Sequence, residues 1–107
     1  MKRIKCIVKR PDEAYGHMTH VSNSLENLQK TVGGYIETYP LGDKLIAIVN
    51  EEGKIKGLEP CLRIHDWDVL VGTIIIVGTN GEEFDHIPID FKAWKALVNR
   101  LEGRKRT

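Results

Sequence analysis

Residues 32–57, VGGYIETYPLGDKLIAIVNEEGKIKG, alternate turn signals with strand-like apolar runs at short spacing, and the rest of the chain is arranged around them. Gly33-Gly34 ends whatever precedes it. Tyr35 to Tyr39 has the aromatic and β-branched content of a strand, Pro40-Leu41-Gly42-Asp43 breaks that run, and Leu45 to Val49 resumes it. Asn50-Glu51-Glu52-Gly53 then turns the chain again, so the stretch predicts two linked hairpins.

Toward the N-terminus, Arg3 to Lys9 sets Ile4, Cys6 and Val8 on one face and Lys5 and Lys9 on the other. That alternation is a half-buried strand, broken only by Ile7. Arg10-Pro11-Asp12 ends it, and Glu13 to Val21 reads as a polar loop without periodicity. Asn23 to Val32 predicts a short helix, with Asn23 as cap, Glu26 three residues on, and Leu25, Leu28 and Val32 as its apolar face. Gly33 or Gly34 supplies the left-handed residue that stops it.

Toward the C-terminus, Cys61 to Asp68 shows no period and is expected to be a loop, either wholly irregular or with one helical turn. Val69 to Val77 is the most hydrophobic run in the chain and predicts one central strand buried on both faces. Thr79-Asn80-Gly81-Glu82 is a hairpin signal of type I′, with Glu83 to Ile87 returning until Pro88. Asp90 caps a final helix whose Phe91, Trp94, Leu97, Val98 and Leu101 share a face, and Gly103 ends it. Residues 103–107 form a basic tail. The sum is an α+β single domain over residues 1–107. A mainly antiparallel sheet of about six strands carries a short helix after strand one and a C-terminal helix, both expected on one face.

Composition narrows the function. With 107 residues, 41% apolar and 29% charged, the chain is of ordinary globular make-up and holds one core. A net charge of +1 supplies no field to draw in a nucleic acid or an anionic membrane. Cys6 and Cys61 form no C-x-x-C pattern, which favours reduced thiols over a zinc clip or a disulfide framework. The basic N-terminus lacks a signal-peptide core, and no run approaches the roughly 20 apolar residues of a membrane span. The expected location is the cytoplasm.

Chemistry-bearing patterns are few. His17 and His20 have a three-residue spacing that can bring two imidazoles to a metal, but no ligand cluster accompanies them, and a solvent-facing loop is the plainer reading. Asp85 and His86, adjacent on a strand, point to opposite faces and make no acid-base pair. Phosphate-binding glycine loops, G-x-S-x-G and H-E-x-x-H are all missing from the sequence. The Asn50–Lys54 turn is either a wet reversal or the stiff wall of a pocket for a polar ligand, with Tyr35 and Tyr39 able to stack and donate.

The run NSLENLQKTVGGYIETYPLGDKLIAIVNEEGKIKGL, followed by DVLVGTIIIVG at residues 68–78, carries a resemblance. It resembles a family of short bacteriophage and conjugative-element proteins known as a domain of unknown function, which shares Leu28-Gln29, Val32 to Glu37, Asn50 to Lys54 and Gly57-Leu58. The resemblance implies a mobile-element protein acting inside a bacterial host cell, among small proteins that often blunt host defence. The expectation is a non-catalytic protein, without cofactor or metal, that sequesters a nucleotide-derived signal. Its ligand-binding residues are expected to be Tyr15, His17, Tyr35, Asn50, Lys54 and Lys56, with the site completed by a second copy in a homo-oligomer. The alternative is an inhibitor or regulator of a host protein; a small metal- or His-dependent hydrolase has least support.

Overall fold

The β-branched run about two thirds of the way along the chain decides the layout, because Ile74 to Val77 are all fully buried and must be covered from both sides. The structure, a computed structural model, describes residues 2–104; positions 105–107 of the expected basic tail lie outside the described residues. In chain order the elements are β1 (Arg3–Lys9), β2 (His17–Ser22), α1 (Leu25–Val32), β3 (Ile36–Gly42), β4 (Leu45–Asn50), β5 (Pro60–Ile64), β6 (Asp68–Val71), β7 (Ile74–Asn80), β8 (Glu83–Asp85) and α2 (Phe91–Glu102). Six strands form an antiparallel sheet in the order β2-β1-β7-β4-β3, with β8 paired to β7. β5 and β6 pair separately as a two-stranded sheet. No helix among the described residues is long and apolar enough to cross a membrane.

Strand side chains alternate between faces, so β1, β4 and β7 feed two cores. Ile4, Cys6, Val8, Ile48, Ile75 and Val77 lie against Leu28 and Val32 of α1. On the other face Ile7, Ala47, Val49, Ile74 and Ile76 meet Trp94, Val98 and Leu101 of α2, together with Cys61, Leu62, Ile64 and Leu70 of the β5–β6 pair. The helices therefore cover opposite faces and not one shared face. Ile7, the break in the first strand's alternation, is the residue of β1 that serves the second core.

The α+β class, the antiparallel six-stranded sheet and the two helices match the sequence reading, while several local expectations are corrected. Residues 17–22 form a strand and not a loop: they pair with β1 from Arg3↔Ser22 to Val8↔His17, so the short helix follows the second strand. Asn23 does not cap α1, because just past β2 it is still tied to the neighbouring strands, donating its backbone N–H to Lys2 O at 2.8 Å and its amide to Phe84 O at 3.2 Å. Ser24 is the cap, its Oγ accepting from Asn27 N. Gly33 ends the helix with φ 83°, as expected.

β3 runs through Pro40 to Gly42 because it is an edge strand, where a missing N–H faces solvent; its register slips between Pro40 and Gly42. Only the first of the two expected hairpins forms. After β4 the chain knots into turns over residues 51–57, tied by Lys56 N to Glu52 O and Leu58 N to Gly53 O, and leaves the sheet to build β5 and β6. The Cys61–Asp68 segment is thus mostly strand and turn, hidden from a period-two reading by a register shift between Pro60 and Leu62. The long apolar run is two strands split at Gly72, which takes φ +74° and where a Cβ would sit 2.7 Å from Leu58 Cδ1. At the β7–β8 hairpin only Gly81 takes positive φ, so the turn is not the expected type I′, which would need it at both central residues.

α2 follows the reading closely. Asp90 caps it by accepting from Ala93 N at 2.8 Å and Gly103 closes it with φ 69°. Trp94 is fully buried, and its Nε1 donates to Tyr15 O at 2.7 Å, fastening the helix to the loop before β2. Replacing Trp94 by alanine removes that hydrogen bond and leaves a large cavity, so the expected loss is about 3–5 kcal/mol of folding stability in denaturant melts. A loss below about 1 kcal/mol would mean that the helix is peripheral to the core.

Candidate functional site

A cleft of about 1050 Å³ opens where the loop after β1 faces the β5–β6 pair and the end of α2. Its making begins with Gly16. At φ +79° this residue brings the loop so close to β1 that a Cβ would lie 2.8 Å from both Cα and Cβ of Lys9 and clash with Val8 O. The loop thereby covers the end of β1, and Arg10 N donates to Glu13 Oε1 at 2.8 Å to hold its shape. The backbone bond to Arg10 is the main reason that the Glu13 carboxyl sits below its ordinary range.

Lys9 is consequently only 2% exposed, against the expectation that it shares an outer face with Lys5. Its Nζ donates to Cys61 O at 2.5 Å and lies 3.7 Å from Cys61 Sγ, which in turn donates to Lys9 O at 3.3 Å. None of the ion pairs among the described residues includes Lys9. A buried ammonium held by a carbonyl and a thiol joins β1 to β5 on the cleft's floor. Burial pushes the Cys61 thiol up to about 11 although the Lys9 ammonium pulls the other way, and burial alone pushes Cys6 up to about 11.

The rim is the β5–β6 turn. His65 sits in the left-handed region at φ 52°, a conformation that costs a non-glycine residue about 1–3 kcal/mol and concentrates at functional sites. It is over-determined by its N–H, which donates to Leu101 O at 2.7 Å. The strained turn lifts Trp67 into solvent at 71% exposure, with the His65 ring against it at a centroid distance of 4.5 Å. Beside Trp67, Asp68 Oδ1 accepts from Lys54 Nζ at 2.7 Å and from Val69 N at 2.8 Å. The Lys54 bond first, and the Val69 N–H second, hold the Asp68 carboxyl below its ordinary range; the same pair raises Lys54. Four Lys or Arg, five Asp or Glu and one His line the cleft, so it is close to charge-balanced. A smaller cavity of about 160 Å³ lies beyond the pair and shares Lys54, Asp68 and Val69 with it.

The six residues expected from sequence do not converge. Lys54 lines the cleft, and Asn50 joins it only at the smaller cavity. Asn50 is buried and structural, accepting from Glu52 N at 2.8 Å and donating to Val32 O at 3.2 Å. Tyr15 clamps α2, its hydroxyl donating to Asn99 Oδ1 at 2.7 Å while Lys95 and Arg104 approach its ring at 5.2 and 5.3 Å. His17 lies 3.5 Å from Glu13, Lys56 lies 3.8 Å from Glu52, and Tyr35 is exposed just before β3; none of the three lines either cavity. His17 and His20, an odd number of residues apart on β2, face opposite sides of the sheet. The residues missed are Lys9, His65 and Trp67; a lone tryptophan within the polar run HDWD was the one available signal.

A family model described as a domain of unknown function (DUF3846) matches residues 4–99. No curated protein and no solved structure matches the chain. Both cysteines are free thiols in buried positions. At pH 8 roughly one part in a thousand of a thiol titrating near 11 is thiolate, so iodoacetamide should label neither in the native protein while labelling both at once in denaturant. Prompt native labelling of Cys61 would show that the cleft floor opens.

Proposed function

We propose, from the premise that this chain belongs to the DUF3846 family of domains of unknown function, that it is a non-catalytic binder of a nucleotide-like small molecule held in the cleft beneath Trp67. The observation that carries the reading is the exposed, strained turn: Trp67 offers a free aromatic face at the edge of a concave site lined by Lys54 and Arg63. Stacking on an aromatic face tolerates any base, and a tryptophan 71% exposed with the His65 ring against it is otherwise a liability. Because the lining is charge-balanced, the favoured ligand carries one anionic group and not a string of phosphates. The non-catalytic reading draws support from Cys61, a nucleophile of the lining that is buried and protonated at neutral pH.

In keeping with the resemblance to short proteins of bacteriophages and conjugative elements, the ligand would be a nucleotide-derived signal of a bacterial host, withheld in the cytoplasm as counter-defence. A second copy closing the open side of the cleft would complete the site, as symmetric oligomers commonly do. A protein-binding regulator is the second reading. It is favoured by Ile55 at 87% exposure and Trp67 at 71%, borne on two turns that the Lys54–Asp68 pair ties together.

Titration with a panel of linear and cyclic nucleotides, followed by calorimetry, tests the proposal. Trp67→Ala, a surface change that leaves folding intact, should weaken binding about tenfold or more if a base stacks there. Lys54→Glu should weaken the anionic ligands and leave their nucleosides alone. Chemical conversion of any ligand would make the protein an enzyme. A panel that fails to bind, with a host protein co-purifying through Trp67 and Ile55, would transfer the assignment to the regulator reading.

A further inference from the structure

We propose that Asp68 is an internal competitor for the ligand's anionic group, occupying the seat on Lys54 that the ligand takes. The inference rests on the small-molecule reading above and assigns the residue that recognises the anion. The Lys54–Asp68 pair stands at the junction of the large cleft and the smaller cavity, lining both. It also adjoins the stacking surface, since Asp68 follows Trp67 directly and consecutive Cα atoms are about 3.8 Å apart. Two of the other three cations of the lining are committed, Lys9 buried on Cys61 and Arg104 held by Glu102 at 2.7 Å, while Arg63, in no ion pair among the described residues, has no paired carboxylate to exchange.

Exchange at Lys54 is easy in physical terms. The lysine side chain is 63% exposed, and an ion pair in that setting contributes little to stability, so giving it up destabilises the fold hardly at all. Asp68 is not stranded when Lys54 leaves, because Val69 N–H still donates to the same oxygen at 2.8 Å. A phosphate monoester arriving with its ring on Trp67 meets an ammonium already oriented by a carboxylate of like charge. The carboxylate keeps the site neutral when empty and sets a threshold that weakly charged competitors fail to pass.

The experiment measures binding of adenosine monophosphate and of adenosine by calorimetry to the natural chain, Asp68→Asn, Asp68→Asn with Lys54→Met, and Trp67→Ala. Asparagine still accepts from Val69 N–H and both altered side chains are partly or largely exposed, so the variants fold, and thermal melts verify it. The expected result is adenosine monophosphate binding about two- to five-fold tighter in Asp68→Asn, with the gain gone in the double variant and adenosine unaffected. Adenosine monophosphate bound no tighter by Asp68→Asn, or adenosine gaining as much, overturns the competitor role even where Trp67-dependent binding upholds the reading beneath it. Binding of neither compound by the natural chain or by Asp68→Asn overturns the role as well, and a full nucleotide panel that also fails takes the reading with it.

Discussion

Two strands that are apolar on both faces, β4 and β7, together with β1, which adds Ile7 to its otherwise basic face, constrain everything else in this molecule. β1, β4 and β7 bury Ile and Val side chains above and below the sheet, and burying each of these is worth about 1.5–3 kcal/mol. A single covering layer would leave half of that surface in water. With two helices of 8 and 12 residues available, the short one covers one face and the long one cannot cover the other alone. The β5–β6 pair exists to finish the job: Leu62, Ile64 and Leu70 extend the layer begun by Trp94, Val98 and Leu101. A hairpin recruited to complete a core brings its turn to the surface, and that turn carries His65 and Trp67.

The cleft is a by-product of the same division of labour. The second layer is built from two pieces, a helix and a hairpin, and their junction with the loop after β1 is left concave. Lys9 marks the seam. An ammonium at 2% exposure is tolerable only when hydrogen-bonded, and Cys61 O supplies the bond while Gly16 lets the loop close over the top. The tether works in both directions, since the thiol of Cys61 returns a hydrogen bond to Lys9 O. The floor is therefore tied at both ends, whereas on the wall the Lys54 and Asp68 side chains meet in one exposed ion pair that can be exchanged while the backbone hydrogen bonds of the 51–57 turns and of β6 stay in place. A tied floor beside a wall whose side chains can exchange partners is the mechanical arrangement that a ligand-binding cleft requires.

How much of this was legible in the sequence follows from the range of the interactions involved. α2 was readable in full because its cap, stripe and stop all lie within fourteen residues, Asp90 to Gly103. The β3–β4 hairpin was readable for the same reason, though Pro40 concealed that an edge strand runs on through it. β2 was not readable: His17 to Ser22 has no apolar period, and it is a strand only because β1 offers a ladder to it. β5 was hidden by a bulge, which moves neighbouring side chains off the two-residue alternation. The candidate site was least legible, because it is assembled from residues 9, 54, 63 and 67, which local pattern cannot bring together. The aromatic expected to stack was sought in Tyr15 and Tyr35. Tyr15 proved to be a clamp for α2, and the free ring belongs to a turn whose composition looked merely polar.

Charge balance governs what such a cleft can select. A strongly basic pocket attracts any polyanion through a field that salt screens over about 8–10 Å, and discriminates poorly among them. With a net charge of +1 over the chain and nearly equal numbers of opposite charges along the lining, this cleft exerts little pull at a distance. Selection must then be made at contact, by the fit of a ring to Trp67 and by the exchange of one carboxylate for one anion at Lys54. Each contact alone is weak, so occupancy requires both at once and the geometry linking them becomes the specificity. That geometry is set by the β5–β6 turn, where the left-handed backbone of His65 fixes Trp67 in relation to Asp68. The strain held at His65 is thus best understood as the cost of keeping a stacking surface and an anion seat in register on neighbouring residues.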